Sequence, residues 1–209
     1  MEKRERMRIL MQELMLMLEG LVRGESMLFG VDALTINDMD RYRVVRSPEW
    51  TEFHQEPKLS VGSLLEDWAG LQRVLEGGTP TAVDFERLGT VLRVVSDRLL
   101  EPSTSGTGGS KAGRIDIQLR QLLLLLAMFV EHYQQADVDA LEIDDMDYYW
   151  VIQPPEWTDF QHEPSLCVGS LIDDWGELQR VLKKDIVTTV DFNRLGAVLR
   201  VVSERLGRQ

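Results

Sequence analysis

Carboxylates are the most abundant side chains in this sequence that could do chemistry, and some occur in adjacent pairs. Glu66-Asp67 and Asp173-Asp174 lie early in two predicted helices. General acid–base catalysis needs groups that converge on one substrate. Adjacent helical residues point about 100° apart, so neither pair converges by itself. We therefore predict no catalytic residue from these pairs.

A dense acidic stretch over residues 137–147 could attract a divalent cation or a basic partner surface. It does not fit a calcium loop of the EF-hand type, because its sixth position is not glycine and its fifth is Leu141. We interpret the stretch as solvated turns with capping aspartates, and we predict neither a metal nor a cofactor. The acidic residues of the stretch are Asp137, Asp139, Glu142, Asp144, Asp145 and Asp147, and Asp38 and Asp40 match the last two.

Nucleophilic and metal-binding side chains are otherwise sparse. The single cysteine, Cys167, cannot form an internal disulfide and cannot hold zinc alone. His54, His132 and His162 include no pair at metal-binding spacing. A lone cysteine fits a reducing compartment, so we expect a cytoplasmic protein.

The composition is that of a soluble globular protein, with 209 residues of which 44% are hydrophobic and 28% charged. The net charge of −12 argues against nucleic-acid binding and favours a basic protein partner. The most apolar stretch, Leu122–Val130, is far shorter than the roughly 20 residues that a membrane-spanning helix needs. We expect no membrane association.

The strongest pattern is internal duplication. A shift of 107 aligns residues 38–99 with 145–206 without a gap, and 39 of these 62 positions are identical. We therefore predict two repeat units, 1–100 and 114–209, hereafter the N-terminal half and the C-terminal half. The segment between them, 101–113, is rich in Gly, Ser and Thr and is typical of a flexible linker. A natural linker and an engineered join of two chains both fit it.

Each half contains three helical patterns. The last one carries apolar residues spaced three and four apart, and the middle one places Trp68, or Trp175, on its apolar stripe. We predict that both tryptophans are buried. The stripes of the last helix are Phe85, Leu88, Leu92, Val95 and Leu99, and Phe192, Leu195, Leu199, Val202 and Leu206.

The first helices, predicted over residues 7–23 and 115–135, are expected to join the two halves. The run Leu122–Leu126 spans every face of a helix, and a three-helix unit cannot cover all of those faces by itself. We predict that the two first helices pack together at a pseudo-two-fold axis, as in a homodimer that became one chain. Leu124→Glu should then break the association of the halves.

Short alternating runs between the first and second helices predict a β-hairpin in each half. The first hairpin would join residues 33–36 to 41–45, and the second would join 140–143 to 148–152. These hairpins would lie on the helices or pair across the halves, because an isolated hairpin is only marginally stable.

One face of the predicted hairpins differs between the halves and is our candidate interaction surface. It carries arginines in the N-terminal half where the C-terminal half has aromatic residues, and drift is the alternative explanation. Two nearby tryptophans, Trp50 and Trp157, could be ligand platforms. We favour the interpretation that each covers the end of a helical bundle. The residues of this surface are Arg41, Arg43, Trp50, Tyr148, Trp150 and Trp157.

These patterns predict a mainly α fold, in which two three-helix units, each with a short hairpin, form one pseudo-two-fold helical bundle. Three functions remain open. The first is a non-enzymatic interaction or regulatory module. The second is an enzyme, small-ligand or metal binder with a site at the pseudo-two-fold axis. The third is a fused obligate dimer with no biochemical role of its own.

Overall fold

The computed structural model describes residues 6–37, 63–100, 114–144, 170–183 and 187–208. The described chain is mainly helical, with small antiparallel sheets. In order its elements are β1 Arg6–Leu10, α1 Met11–Phe29, β2 Ala33–Asn37, α2 Leu64–Leu75, α3 Ala82–Leu100, β3 Arg114–Gln118, α4 Leu119–Gln135, β4 Ala140–Asp144, α5 Leu171–Leu182 and α6 Thr189–Gly207.

The second and third helical patterns of each half form helices as predicted. Helix α2 begins with a capping box, in which Ser63 Oγ accepts from the Glu66 amide at 3.1 Å and Glu66 Oε2 accepts from the Ser63 amide at 2.9 Å. Ser170 caps α5 by accepting from the Asp173 amide. Trp68 and Trp175 are 4% and 3% exposed, which confirms their prediction as core residues.

The predicted first helices begin too early. Residues 6–10 and 114–118 are strands, and α1 and α4 begin only at Met11 and Leu119. The physical reason is a short period-two pattern at the start of each segment. Ile9 is buried while Arg8 is exposed, and Ile115 and Ile117 are buried while Asp116 between them is exposed.

The strands pair between the halves. Strand β1 is antiparallel to β4, with Arg6 opposite Asp144 and Leu10 opposite Ala140. Strand β2 is antiparallel to β3, with Ala33 opposite Gln118. The predicted strands at 33–36 and 140–143 therefore exist, but the partner that the structure gives each of them lies in the other half. The predicted hairpin partners, 41–45 and 148–152, lie outside the described residues.

The helices are also intertwined between the halves. The most extensive helix–helix contact joins α3 to α6. Helix α1 packs on α4, α5 and α6 of the C-terminal half, whereas α4 packs on α1, α2 and α3 of the N-terminal half. Phe85 of α3 contacts Phe129 of α4, with ring centroids 5.0 Å apart. The first helices do contact each other across the halves, but the main seam is formed by the last helices.

The composition of the leucine run predicts that α4 is covered on every side, but the structure leaves one side open. Leu122, Leu125 and Leu126 are fully buried, but Leu124 is 51% exposed. Helix α4 thus turns one face to solvent, and a single exposed leucine is common on protein surfaces. The prediction that Leu124 lies in the seam between the halves is wrong.

Candidate functional site

All six residues of the candidate interaction surface lie outside the described residues, and so do Cys167, His54 and His162. The surface therefore stays a prediction. Its members are Arg41, Arg43, Trp50, Tyr148, Trp150 and Trp157.

The described part of the acidic stretch forms a turn and a strand. Asp137 follows α4 in the left-handed region, at φ 61°. The carbonyl of Asp139 accepts from the Met11 amide at 2.9 Å, and Glu142 is exposed in the middle of β4. Within the ranges that the structure describes, no three His, Cys, Asp or Glu side chains are grouped to hold a metal ion.

The two predicted carboxylate pairs are each divided between two structural roles. Glu66 and Asp173 lie in the exposed first turns of α2 and α5, near the capping serines. Asp67 and Asp174 are buried and face the third helix of their own half. Asp67 Oδ1 lies 3.7 Å from Arg87 Nε, and Asp174 Oδ1 lies 3.3 Å from Arg194 Nε. The inner carboxylates therefore tie α2 to α3 and α5 to α6.

The N-terminal cluster is built around Asp84, whose side chain is fully buried. Its Oδ2 accepts from the Thr81 amide and hydroxyl, both at 2.8 Å, and from Arg73 at 3.1 Å. Its Oδ1 accepts from Arg87 at 2.7 Å. A threonine hydroxyl at a helix start commonly accepts a hydrogen bond from a first-turn amide. Instead the Thr81 hydroxyl donates to Asp84, whose negative charge also suits the positive end of α3.

The C-terminal cluster repeats this arrangement around Asp191. Its Oδ2 accepts from the Thr188 amide and hydroxyl, both at 2.9 Å, and its Oδ1 accepts from Arg194 at 2.8 Å. One difference involves Arg180, which pairs with Glu177 within α5. The Nε of Arg180 is buried, and none of the residues that the structure describes forms a hydrogen bond with it.

These clusters are suited to holding helices together. Buried carboxylates are stable when they are paired and hydrogen-bonded, and each central aspartate accepts from several donors. A general base needs a lone pair within reach of the proton that it abstracts. Asp84 already accepts four hydrogen bonds and Asp191 accepts three, and both carboxylates are buried.

Two ionisable groups on the first helices, Tyr133 of α4 and Glu25 of α1, have shifted pKa values. Burial raises the pKa of Tyr133, and the nearby Asp84 carboxylate raises it further. The Tyr133 ring packs on Phe85, with centroids 5.5 Å apart. Burial also raises the pKa of Glu25, which is 1% exposed and whose Oε1 has no hydrogen-bond partner among the described residues.

Several important residues were not identified from sequence, although some left a signal. Glu25 continues the stripe Leu14, Leu18 and Leu21 at helical spacing, so periodicity could have predicted its burial. Arg87 and Arg194 lie three residues after the capping aspartates, a spacing that brings helical side chains together.

Comparisons with protein families, with curated proteins and with solved structures give no match to this chain. The helices that the structure describes include none that is both long enough and apolar enough to cross a membrane.

Proposed function

We propose that this chain is a non-enzymatic interaction module built as a pseudo-dimer, in which two duplicated halves form one body. The observation that carries the proposal is the pairing of the elements. Both described sheets and the most extensive helix contact join one half to the other. Neither half has a complete set of partners for its own strands among the described residues, so folding and association are expected to be coupled.

Reciprocal contacts between α3 and α6 support a pseudo-two-fold relation. A Cβ added to Gly89 would lie 2.5 Å from the Gly196 carbonyl oxygen, and a Cβ added to Gly196 would lie 2.5 Å from that of Gly89. These two glycines are related by the shift of 107 that aligns the repeats. A contact that repeats when its partners are exchanged is the property of a two-fold interface.

A second reciprocal pair flanks the glycines. Arg93 Nε donates to Asn193 Oδ1 at 3.2 Å, and Arg200 Nε lies 3.9 Å from Glu86 Oε1. The shift of 107 converts one pair into the other, with asparagine in place of glutamate. The residue numbers of the partners also run in opposite directions, so α3 and α6 cross antiparallel.

The glycine contact also weighs against a ligand or catalytic site on the proposed axis. The backbones of α3 and α6 approach so closely at Gly89 and Gly196 that even a methyl group would clash. The buried carboxylates Asp84 and Asp191 serve arginine and threonine partners. Because these residues have structural roles, protein–protein interaction is the better supported class of function.

Limited cleavage of the folded chain tests the pseudo-dimer. A protease site placed within 101–113 would allow the intact protein to be cut in its native state. We expect the two fragments to co-elute from a sizing column and to keep the far-ultraviolet circular dichroism of the uncut chain. Two separate, folded fragments would contradict the proposal.

The proposed partner is a basic protein, recognised by the candidate surface. The net charge of −12 favours such a partner, and the aromatic residues of the candidate surface would add contact area. Binding of a basic protein should weaken at high salt and in a Tyr148→Ala, Trp150→Ala double variant. Glu131→Gln, on the exposed face of α4, is the control that should leave it unchanged.

A further inference from the structure

Each sheet has one exposed pair of charged or polar residues at the centre of its two strands. In the β1–β4 sheet Arg8 lies opposite Glu142. In the β2–β3 sheet Thr35 lies opposite Asp116, and its hydroxyl donates to Asp116 Oδ1 at 2.6 Å. All four side chains are exposed, whereas their sequence neighbours in the strands point into the core. Directly opposed residues of antiparallel strands interact, favourably for opposite charges and unfavourably for like charges.

We propose that these central pairs form a pairing code, through which the C-terminal half accepts the N-terminal half and rejects a second copy of itself. The inference rests on the pseudo-dimer proposed above and names its partner preference. If two C-terminal halves paired with the same register, β3 of each would lie along β4 of the other. Asp116 would then lie opposite Glu142 in both sheets, which puts two like-charged pairs where the native chain has none.

The other register positions do not discriminate in this way. Asp144 lies opposite Arg6 in the native chain and would lie opposite Arg114 in a pair of C-terminal halves, so its register partner is an arginine in both. The inward positions are aliphatic throughout: Met7, Ile9, Leu34, Ile36, Ile115, Ile117, Leu141 and Ile143. Each half has an equivalent glycine at the α3–α6 seam, so this contact would be the same in like and unlike pairs. Self-pairing of the C-terminal half is therefore opposed chiefly at the central charges.

The code acts against one like pairing only. In a pair of N-terminal halves Arg8 would lie opposite Thr35, which is neutral, and Glu86 would meet Arg93 across the helix seam. The charges give no reason for the N-terminal half to reject itself. Only the C-terminal half is therefore expected to reject a second copy of itself.

The test uses the full chain, cut within 101–113, unfolded, and refolded at low salt. Native mass spectrometry then counts unlike pairs and both kinds of like pair. Random association would make unlike pairs as common as the two like pairs together. Because the two fragments are equimolar, pairs of N-terminal halves can outnumber pairs of C-terminal halves only where C-terminal halves stay unpaired. We expect unlike pairs to outnumber the two kinds of like pair together several-fold, and any unpaired halves to be C-terminal ones. This preference should shrink near 1 M salt, where the screening length falls to about 3 Å.

Charge variants test whether the central charges of the strands cause the preference for unlike pairs. Glu142→Lys would place lysine opposite Asp116 in a pair of C-terminal halves, so we expect such pairs to increase several-fold. Glu131→Lys makes the same change in net charge on α4, away from the strands, and should not increase them. Combining Arg8→Glu with Glu142→Lys makes the unlike pair attractive again but leaves the pair of C-terminal halves attractive as well, so we expect the pair counts to return to the random ratio.

The outcomes separate the two proposals. If the refolded fragments form no pairs of any kind, the pseudo-dimer itself is wrong. If they pair at random, or if Glu142→Lys has no more effect than Glu131→Lys, the pseudo-dimer stands and the pairing code is overturned.

Discussion

Gly89 and Gly196 meet where α3 crosses α6, and each would place an added Cβ 2.5 Å from the carbonyl oxygen of the other. Neither position has a positive φ, so glycine is needed there for space and not for backbone conformation. This contact sets how closely α3 and α6 approach each other, and these two helices share the most extensive contact among the described helices.

Gly89→Ala should destabilise the protein. Overpacking a tight contact costs typically 1–3 kcal/mol, which outweighs the gain of up to about 1 kcal/mol from replacing a helical glycine with alanine. Gly176→Ala in α5 is the matched control, because an added Cβ there meets no atom of the described residues within 4 Å, and it should stabilise. Urea melts measure both changes; equal stabilisation by the two would refute the close crossing.

Asp84→Ala should cost about 2–4 kcal/mol of unfolding free energy. The fully buried carboxylate accepts from Thr81, Arg73 and Arg87, and breaking a buried pair leaves its partners uncompensated at a cost of roughly 3–5 kcal/mol. The expected loss lies below that range because both arginines are partly exposed, so solvent compensates part of their lost pairing. Exposed Glu131→Ala should change stability by less than about 0.5 kcal/mol. Denaturant melts at neutral pH compare them.

Glu25→Gln should stabilise the protein increasingly as the pH rises. Burial raises the pKa of Glu25 in the folded state above its ordinary value of 4.5. The folded state then binds more protons than the unfolded state in that window, so stability falls as pH rises from the ordinary pKa through the raised one. The glutamine variant lacks this loss. Melts across a pH series measure the difference, and a constant gap between variant and parent above pH 4.5 would contradict it.

Leu125→Ala and Leu124→Ala form a matched pair on α4. Leu125 is fully buried, so its truncation should cost about 2–5 kcal/mol. Leu124 is 51% exposed, so its truncation should cost well under 1 kcal/mol. Similar losses for the two in a thermal or denaturant melt would show that α4 faces another way.

Trp68→Ala and Trp175→Ala should each cost about 3–5 kcal/mol, the usual range for a large core aromatic. Both side chains are almost completely buried on their second helices. Fluorescence-detected denaturant melts of each variant against the parent chain give the values, and a loss below about 1 kcal/mol for either would contradict its core position.

The helices α2, α3, α5 and α6 could be recognised from sequence because their signals are local. Apolar residues recur every three or four positions, and a serine or threonine precedes an acidic residue by three at each start. Trp68 and Trp175 follow from the same stripes. The strands before α1 and α4 escaped this reasoning, because five residues of alternation run directly into a helical pattern with no turn residue between them.

Partner choice was decided only in the tertiary structure. Ile36 reads as a strand residue from its neighbours, but nothing near it in sequence indicates that it lies opposite Ile115 of the other half. Leu124 belongs to a uniformly apolar run, and only the packing of neighbouring helices determines which member is left exposed. Periodicity reports the local backbone and the direction of a face. The residue that covers that face is brought there by long-range packing, so the sequence alone determined the helices and their apolar stripes, and the tertiary structure decided what each stripe and strand meets.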